Sequence, residues 1–296
     1  MRFFFRAGYV SILLIQLFSC RAQEPEAALL ELYPKAKKIE WGVIRVINIL
    51  FLFYSLPDYM RVRKNINRNV SFKNKEASKK CYILLGGLSA KAVNLKLLEN
   101  EDVITVNHFF RTKENILVKP KYHLITDVNF YKDSSNLDDL IRLGFKNTIF
   151  FLNGRYFKNN QNIENIKLIY PLYRVAGDNI EFRMDKITSN FSTVTLNAIQ
   201  MAVYLGYQEV NLVGFDLPPG HMPHFYKDSK VEIKGVSIQK EKVSEYDYCS
   251  LFWQYTNCLH ETYALKRASD ISNVKIYNMS ATSFVRAFPY KDFSSD

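Results

Sequence analysis

The sequence predicts an α/β fold: a Rossmann-like, mostly parallel sheet with helices on both faces, forming one domain behind an N-terminal amphipathic helix. Three observations carry this expectation. Short apolar runs recur from Cys81 onward and are continuous rather than alternating, as strands buried on both faces must be. Those runs stop on small or polar residues, at Gly86, Asn107, Thr126-Asp127, Asn153 and Gly214. The clearest helical stretches, Thr195–Leu205 and Ser244–Ala268, lie late in the chain, the first with Gly206 as its stop signal.

Taken from the N-terminus, residues 1–20 read as a signal-like or anchor segment. Arg2 and Arg6 form a basic start, Tyr9 to Phe18 an apolar run, and Leu17-Phe18-Ser19-Cys20 resembles a lipoprotein cleavage box. Residues 21–80 are expected to form a membrane-associated helix and a polybasic arm. Val43–Leu56 is apolar but shorter than the roughly 20 residues a spanning helix needs, and it contains Arg45 and Asn48. Residues 61–80 then bring eight basic side chains against one Glu. An apolar helix followed by a basic strip suits contact between residues 43–80 and an anionic membrane surface. The alternative is that Val43–Leu56 packs on the domain. The expected location is the cytoplasmic face of the inner membrane, with export as a lipoprotein through Cys20 as the competing reading.

Charge and cysteine usage narrow the function classes. Formal charge is +11, yet residues 1–80 carry 15 basic and 6 acidic side chains, and residues 81–296 carry 25 and 23. The excess belongs to the N-terminal region rather than to a cationic face of the domain, which argues against nucleic-acid binding. Cys20, Cys81, Cys249 and Cys258 have no metal-ligand spacing. No metal site is expected, and reduced thiols are the simpler reading.

Residues 81–296 supply the α/β domain. Strands are expected at Cys81–Leu85, Val103–Val106, Tyr122–Ile125, Asn147–Leu152, Ile166–Tyr170, Glu209–Val213 and Val274–Tyr277, with Ser280 or Thr282 capping a short closing helix through Phe288. In such sheets ligands sit where strands end and helices begin. Gly86-Gly87 would let backbone approach a phosphate or ribose, although neither the dinucleotide fingerprint nor the P-loop is present; a plain turn is the alternative. Ser192-Thr193 before a helix is either an N-cap or a phosphate site. Asp216, after Gly214-Phe215, either caps its turn or accepts from a sugar hydroxyl or a cytosine amine. His221 and His224 lie three apart without a third ligand, so a metal pair is not favoured. His224 within His224-Phe225-Tyr226 is the stronger general-base candidate, with His260 as its rival and a backbone-bonded surface histidine as the structural alternative. Tyr226 either donates to a leaving phosphate or packs.

These motifs resemble the bacterial sialyltransferases of glycosyltransferase family 42. The similar features are Ser192-Thr193 before an apolar helix, Leu205-Gly206-Tyr207 at its end, and Gly214-Phe215-Asp216 after the next strand. Gly86-Gly87-Leu88-Ser89 stands where the family has its first glycine-containing turn, Asn107 where it has a nucleotide-contacting Asn, and Asp127 where another Asn closes the third strand. Lys275 to Phe284 is similar to the closing strand and turn. The family's Asn and Pro are absent from the first turn, and Tyr246-Asp247-Tyr248-Cys249 stands where its histidine base would be. The His224-Phe225-Tyr226 run instead looks like related sugar-cluster proteins with a GFD…HFY signature. The resemblance implies metal-independent, inverting transfer of a sugar from a nucleotide donor, a CMP-sugar, to a surface glycan or lipid. His224 would be the base, Tyr226 would steady the phosphate, and Gly86, Gly87, Asn107, Asp127, Ser192, Thr193, Gly214 and Asp216 would line the nucleotide site. No cofactor is implied, and homo-oligomerisation is left open. Two alternatives stand beside it: a pterin or nucleotide diphosphokinase-like enzyme, and a catalytically inactive relative that binds a glycan or nucleotide.

Overall fold

The computed structural model describes residues 49–50, 52–111, 117–133, 135–143, 147–157, 165–173, 180–216, 245–283 and 285–293. It divides into two compact units, Met1–Leu56 and Pro57–Asp296. In the first, the described residues are helical, and Ile49, Leu50, Leu52, Phe53, Tyr54 and Leu56 are exposed. Among the described residues no helix is long and apolar enough to cross a membrane.

The second unit is an eight-stranded sheet, parallel at every pairing, in the order β6-β5-β4-β3-β2-β1-β7-β8. The strands are β1 Lys80–Leu84, β2 Val103–Val106, β3 Tyr122–Ile125, β4 Ile149–Asn153, β5 Ile166–Tyr173, β6 Ile187–Asn190, β7 Glu209–Val213 and β8 Lys275–Asn278. The helices are α1 Ser135–Leu143, α2 Val194–Leu205 and α3 Glu245–Ile271. The chain steps outward from β1 to β6, then α2 carries it back to the other side of β1, so the strand order reverses between β1 and β7.

The continuous apolar runs have the expected cause. Successive strand residues feed different cores: Ile83, Ile104, Leu124, Phe151 and Leu212 pack with α2 and α3, whereas Tyr82, Leu84, Val103 and Val213 pack on the opposite face with Leu95, Leu98 and Phe109. A third cluster joins Phe150, Leu152, Leu168 and Tyr170 to Leu140 of α1 and to Val62 and Ile66. Burying each such side chain stabilises the fold by about 1.5–3 kcal/mol.

Residues 57–79, read from sequence as part of the polybasic arm, are folded into this unit. Their helical segment, 57–67, supplies Val62 and Ile66. Asn69 Nδ2 donates to the carbonyls of Leu168 and Met184 at 2.7 and 2.8 Å. The N–H groups of Asn74 and Glu76 donate to the carbonyls of Tyr204 and Leu205, at 3.1 and 2.8 Å. They therefore satisfy carbonyls that the end of α2 leaves unpaired. Gly206 closes that end at φ +96, and a Cβ there would lie 2.8 Å from Asn74 Cα.

Three elements differ from expectation. β6, with the sequence Ile-Thr-Ser-Asn, has no apolar run because it is an edge strand paired only to β5. α1 is not among the expected helices; it is only nine residues long, although Leu137, Leu140 and Ile141 recur in it at helical spacing. The closing helix through Phe288 is absent among the described residues. Instead the chain returns to β8, where the Asn278 N–H donates to Pro289 O at 2.9 Å and Asn278 bridges Tyr290.

Candidate functional site

The carboxyl edge of the sheet gathers Gly86, Gly87, Asn107, Asp127, Gly214 and Asp216 at the ends of β1, β2, β3 and β7. Between β1 and β7, where the strand order reverses, the two turns pack directly on each other. The Gly87 N–H donates to Gly214 O at 3.1 Å. A Cβ at Gly87 would overlap Gly214 O and lie 2.7 Å from Asp216 Cγ, while Gly214, at φ +80, sits where a Cβ would be 2.8 Å from Leu85 O. Each glycine is thus required by the close approach of the other turn.

Asp216 is buried, and its carboxylate is engaged. The Ser89 N–H donates to Oδ2 at 2.9 Å, the Ser89 hydroxyl donates to Oδ1, and Ser89 Oγ lies 2.6 Å from Ser280 Oγ. Asn278 Nδ2 donates to Phe215 O at 3.2 Å, and the Ser280 N–H donates to Asn278 Oδ1 at 3.1 Å. These bonds tie together the ends of β1, β7 and β8. Ser280 therefore acts in this latch rather than as the N-cap of a closing helix.

One strand away, at the end of β2, the arrangement differs. Asn107 stands in the left-handed region at φ +50, and its side-chain Oδ1 is buried without a hydrogen-bond partner. Asn tolerates that conformation better than most side chains, but an unpaired buried acceptor is unfavourable. Behind it, His123 Nε2 lies 2.9 Å from Asn107 O and His123 Nδ1 lies 2.7 Å from Thr105 Oγ1. A backbone carbonyl only accepts, so Nε2 carries the proton and Nδ1 accepts from the threonine hydroxyl. Burial holds the imidazole pKa down to about 3, outweighing the opposing pull of the Asn107 carbonyl, so the ring is neutral.

At the end of β3, Asp127 caps a short 3-10 turn, its Oδ1 accepting from the Asn129 N–H at 2.9 Å. At the end of β4, the Asn153 N–H donates to Tyr131 Oη at 2.7 Å, and that hydroxyl donates to Ile125 O at 2.9 Å. Adjacent strand ends are thereby braced to one another.

Ser192 and Thr193 begin α2, but neither side chain caps it in the expected way. Glu261 of α3 accepts from the Ser192 N–H at 2.8 Å and from its hydroxyl at 2.6 Å, through the same oxygen. Burial raises the Glu261 carboxyl above its usual range, and the two Ser192 donors draw it partly back. Thr193 makes no side-chain cap; its Oγ1 lies 4.0 Å from Cys258 Sγ, a thiol that burial pushes up to about 11. A carboxylate of the chain's own thus stands at the helix start where an anion would be favoured.

These contacts also fix where α3 lies. Cys258 and Glu261 are level with the first residues of α2, so the 13 residues of α3 before Cys258 reach past it. At 1.5 Å per residue that is about 20 Å of helix beyond the start of α2. The segment carrying His221, His224 and Tyr226 joins Asp216 to this helix and lies outside the described residues. Among the described residues no group of three or more His, Cys, Asp or Glu side chains is placed to hold a metal ion.

Glu261, His123 and Thr105 stand outside every motif of the sequence. Glu261 gives no local signal because its partner is 69 residues away. A single histidine inside the apolar run of β3 gives no sign of what its ring reaches.

No protein-family model matches the chain, and no curated protein matches it. Among solved structures it is similar to a monofunctional alpha-2,3-sialyltransferase from Campylobacter jejuni, at 18% identity over 72% of this chain and 80% of that one, with a TM-score of 0.44. It is similar to a second Campylobacter jejuni sialyltransferase, solved in complex with a substrate analogue, cytidine-5'-monophosphate, at 16% identity over 72% and 85%, with a TM-score of 0.43. It is also similar to the MAf glycosyltransferase from Magnetospirillum magneticum AMB-1, at 13% identity and a TM-score of 0.46; that likeness covers 98% of this chain and 48% of the other. The likeness in each case is one of fold.

Proposed function

We propose that this chain is a sialyltransferase-like glycosyltransferase that moves a sugar from a nucleotide donor, a CMP-sugar, to a surface glycan or lipid. The observation that carries the proposal is Asn107: an unpartnered acceptor, held in a left-handed turn at the carboxyl end of β2, beside the strand-order reversal. A nucleoside offers the donors such an oxygen lacks, in its ribose hydroxyls and base amine. The motif order from Ser192 through Asp216 supports the same class of donor.

In this reading His224 takes the proton of an acceptor hydroxyl, and that oxygen attacks the anomeric carbon opposite the phosphate. The bond from anomeric carbon to phosphate oxygen breaks, CMP departs with the electron pair, and Tyr226 donates to its phosphate. One displacement inverts the anomeric centre, and no metal is required. Because Asp216 is occupied by Ser89, its contribution is to hold the first turn, and the nucleotide would lie toward Asn107 and Asp127. The exposed side chains among residues 43–80 would rest on anionic lipid at the cytoplasmic face of the membrane, those of residues 57–79 while that segment stays folded into the domain. Full-length protein should then sediment with vesicles containing anionic lipid, and less so as salt is raised.

The test is a thermal-shift screen of CMP, UDP, GDP and their sugars, with and without EDTA. Specific binding of a ligand at 100 times its Kd stabilises the fold by about 2.7 kcal/mol. Stabilisation by CMP compounds in EDTA supports the proposal. A response that requires Mg²⁺ and a purine or pterin diphosphate would favour the diphosphokinase alternative instead.

A further inference from the structure

We propose that His123, with Thr105 behind it, is the positioning residue that holds Asn107 in its left-handed turn and so presents the Asn107 side-chain oxygen to the donor nucleotide. The inference rests on the nucleotide-donor reading above. It begins with one row of side chains across a face of the sheet, where Val213, Leu84, Thr105, His123, Phe150 and Ile166 are register partners on successive strands. The central pair is polar and fully buried, while every other member is apolar. The ring of His123 is enclosed edge-on by Phe110 and Phe150, at centroid distances of 5.9 and 5.5 Å. A core of this kind accepts Val and Leu without penalty, whereas burying an imidazole and a hydroxyl is unfavourable unless both are bonded.

Both are bonded, in one direction only. The Thr105 hydroxyl donates to Nδ1, which fixes the ring's tautomer and orientation. The Nε2 proton then points at Asn107 O, two residues beyond Thr105 and just past the end of β2. This bond pins the carbonyl of a residue whose backbone is strained for a side chain with a Cβ, at φ +50. The imidazole moves no proton, and its effect reaches a ligand only through Asn107.

Three variants and two readouts test this. His123→Leu removes the N–H donor, His123→Gln restores a donor near the Nε2 position, and Asn107→Gly removes the side chain while keeping the left-handed backbone accessible. In full-length protein without ligand, His123→Leu should raise amide hydrogen exchange in residues 107–111 above any change in the rest of the sheet. It should weaken CMP binding by about tenfold, the worth of one hydrogen bond. His123→Gln should recover most of both. On the Asn107→Gly background, His123→Leu should cost no further affinity, since the two act as one unit.

Unchanged exchange at 107–111 in His123→Leu overturns the proposal, and so do affinity losses that add in the double variant. If His123→Leu does not fold, the comparison of His123→Gln with Thr105→Val decides it: affinity kept in the first and lowered in the second supports positioning, and the reverse overturns it. Failure of the nucleotide reading is seen separately, as wild-type protein that binds no nucleotide at all.

Discussion

Glu76 joins residues 57–79 to the amino edge of the sheet, and replacing it with Gln tests how that joint is held. Its carboxylate, 3% exposed, lies 2.7 Å from Lys121 Nζ and 2.9 Å from Lys79 Nζ, and accepts from Tyr122 Oη at 2.7 Å. Burial by itself would raise the carboxyl's pKa; the lysine and tyrosine donors outweigh it and bring it down to about 2, from 4.5. A depressed carboxyl contributes stability that is present above its unfolded pKa and lost as pH falls through its folded one. Over these values the contribution is about 3.4 kcal/mol at pH 7, about 2.6 at pH 4 and about 1.4 at pH 3. Glu76→Gln, which mimics the protonated form, should therefore unfold more easily than wild type by about 3 kcal/mol at pH 7. The gap should close by more than half on acidification to pH 3. Urea titrations of both proteins across pH 3–7 measure it. A gap under about 0.5 kcal/mol at pH 7, the range of ordinary surface changes, would mean that the lysine and tyrosine donors do not hold this joint, as would a gap that does not shrink in acid.

Gly87→Ala should destabilise the fold by about 1–3 kcal/mol, because its Cβ meets backbone that cannot move aside; denaturant midpoints check it. Glu261→Gln keeps an acceptor for both Ser192 donors while removing a charge whose carboxyl pKa is raised. A raised carboxyl favours the fold below its unfolded pKa and loses that contribution as pH rises through the folded one. Thermal unfolding should thus show the variant at least as stable as wild type at pH 7, with the difference vanishing in acid. If α2 holds the donor phosphate, the same variant should bind CMP about two- to fivefold tighter by calorimetry, and unchanged affinity would place the phosphate elsewhere. His224→Ala should lower turnover by about 10²-fold or more with donor binding retained; unchanged turnover removes His224 from the mechanism.

The parts of the fold that were legible in sequence are those where burial acts on both faces. β2, β3 and β7 have the limits their apolar runs predict, and α2 starts and stops within a residue of expectation because Gly206 marks its end. β6 was not legible, since Thr188, Ser189 and Asn190 form an edge with little apolar character. The polar strand ends were legible as positions but not as roles. Asp216 and Asn107 look alike in sequence, each a polar residue closing an apolar run. The structure separates them through partners far along the chain: Ser89 and Ser280 engage Asp216, whereas nothing described engages Asn107 Oδ1. Likewise the Ser192 hydroxyl before α2 is taken up by Glu261, a contact that no local pattern announces.

Whether Asn107 receives the donor nucleotide is read from calorimetric titration of the full-length protein with CMP in EDTA. Wild type should bind CMP saturably, and Asn107→Gly at least about tenfold more weakly. Equal affinity in the two proteins, or no saturable binding to wild type, would contradict that role.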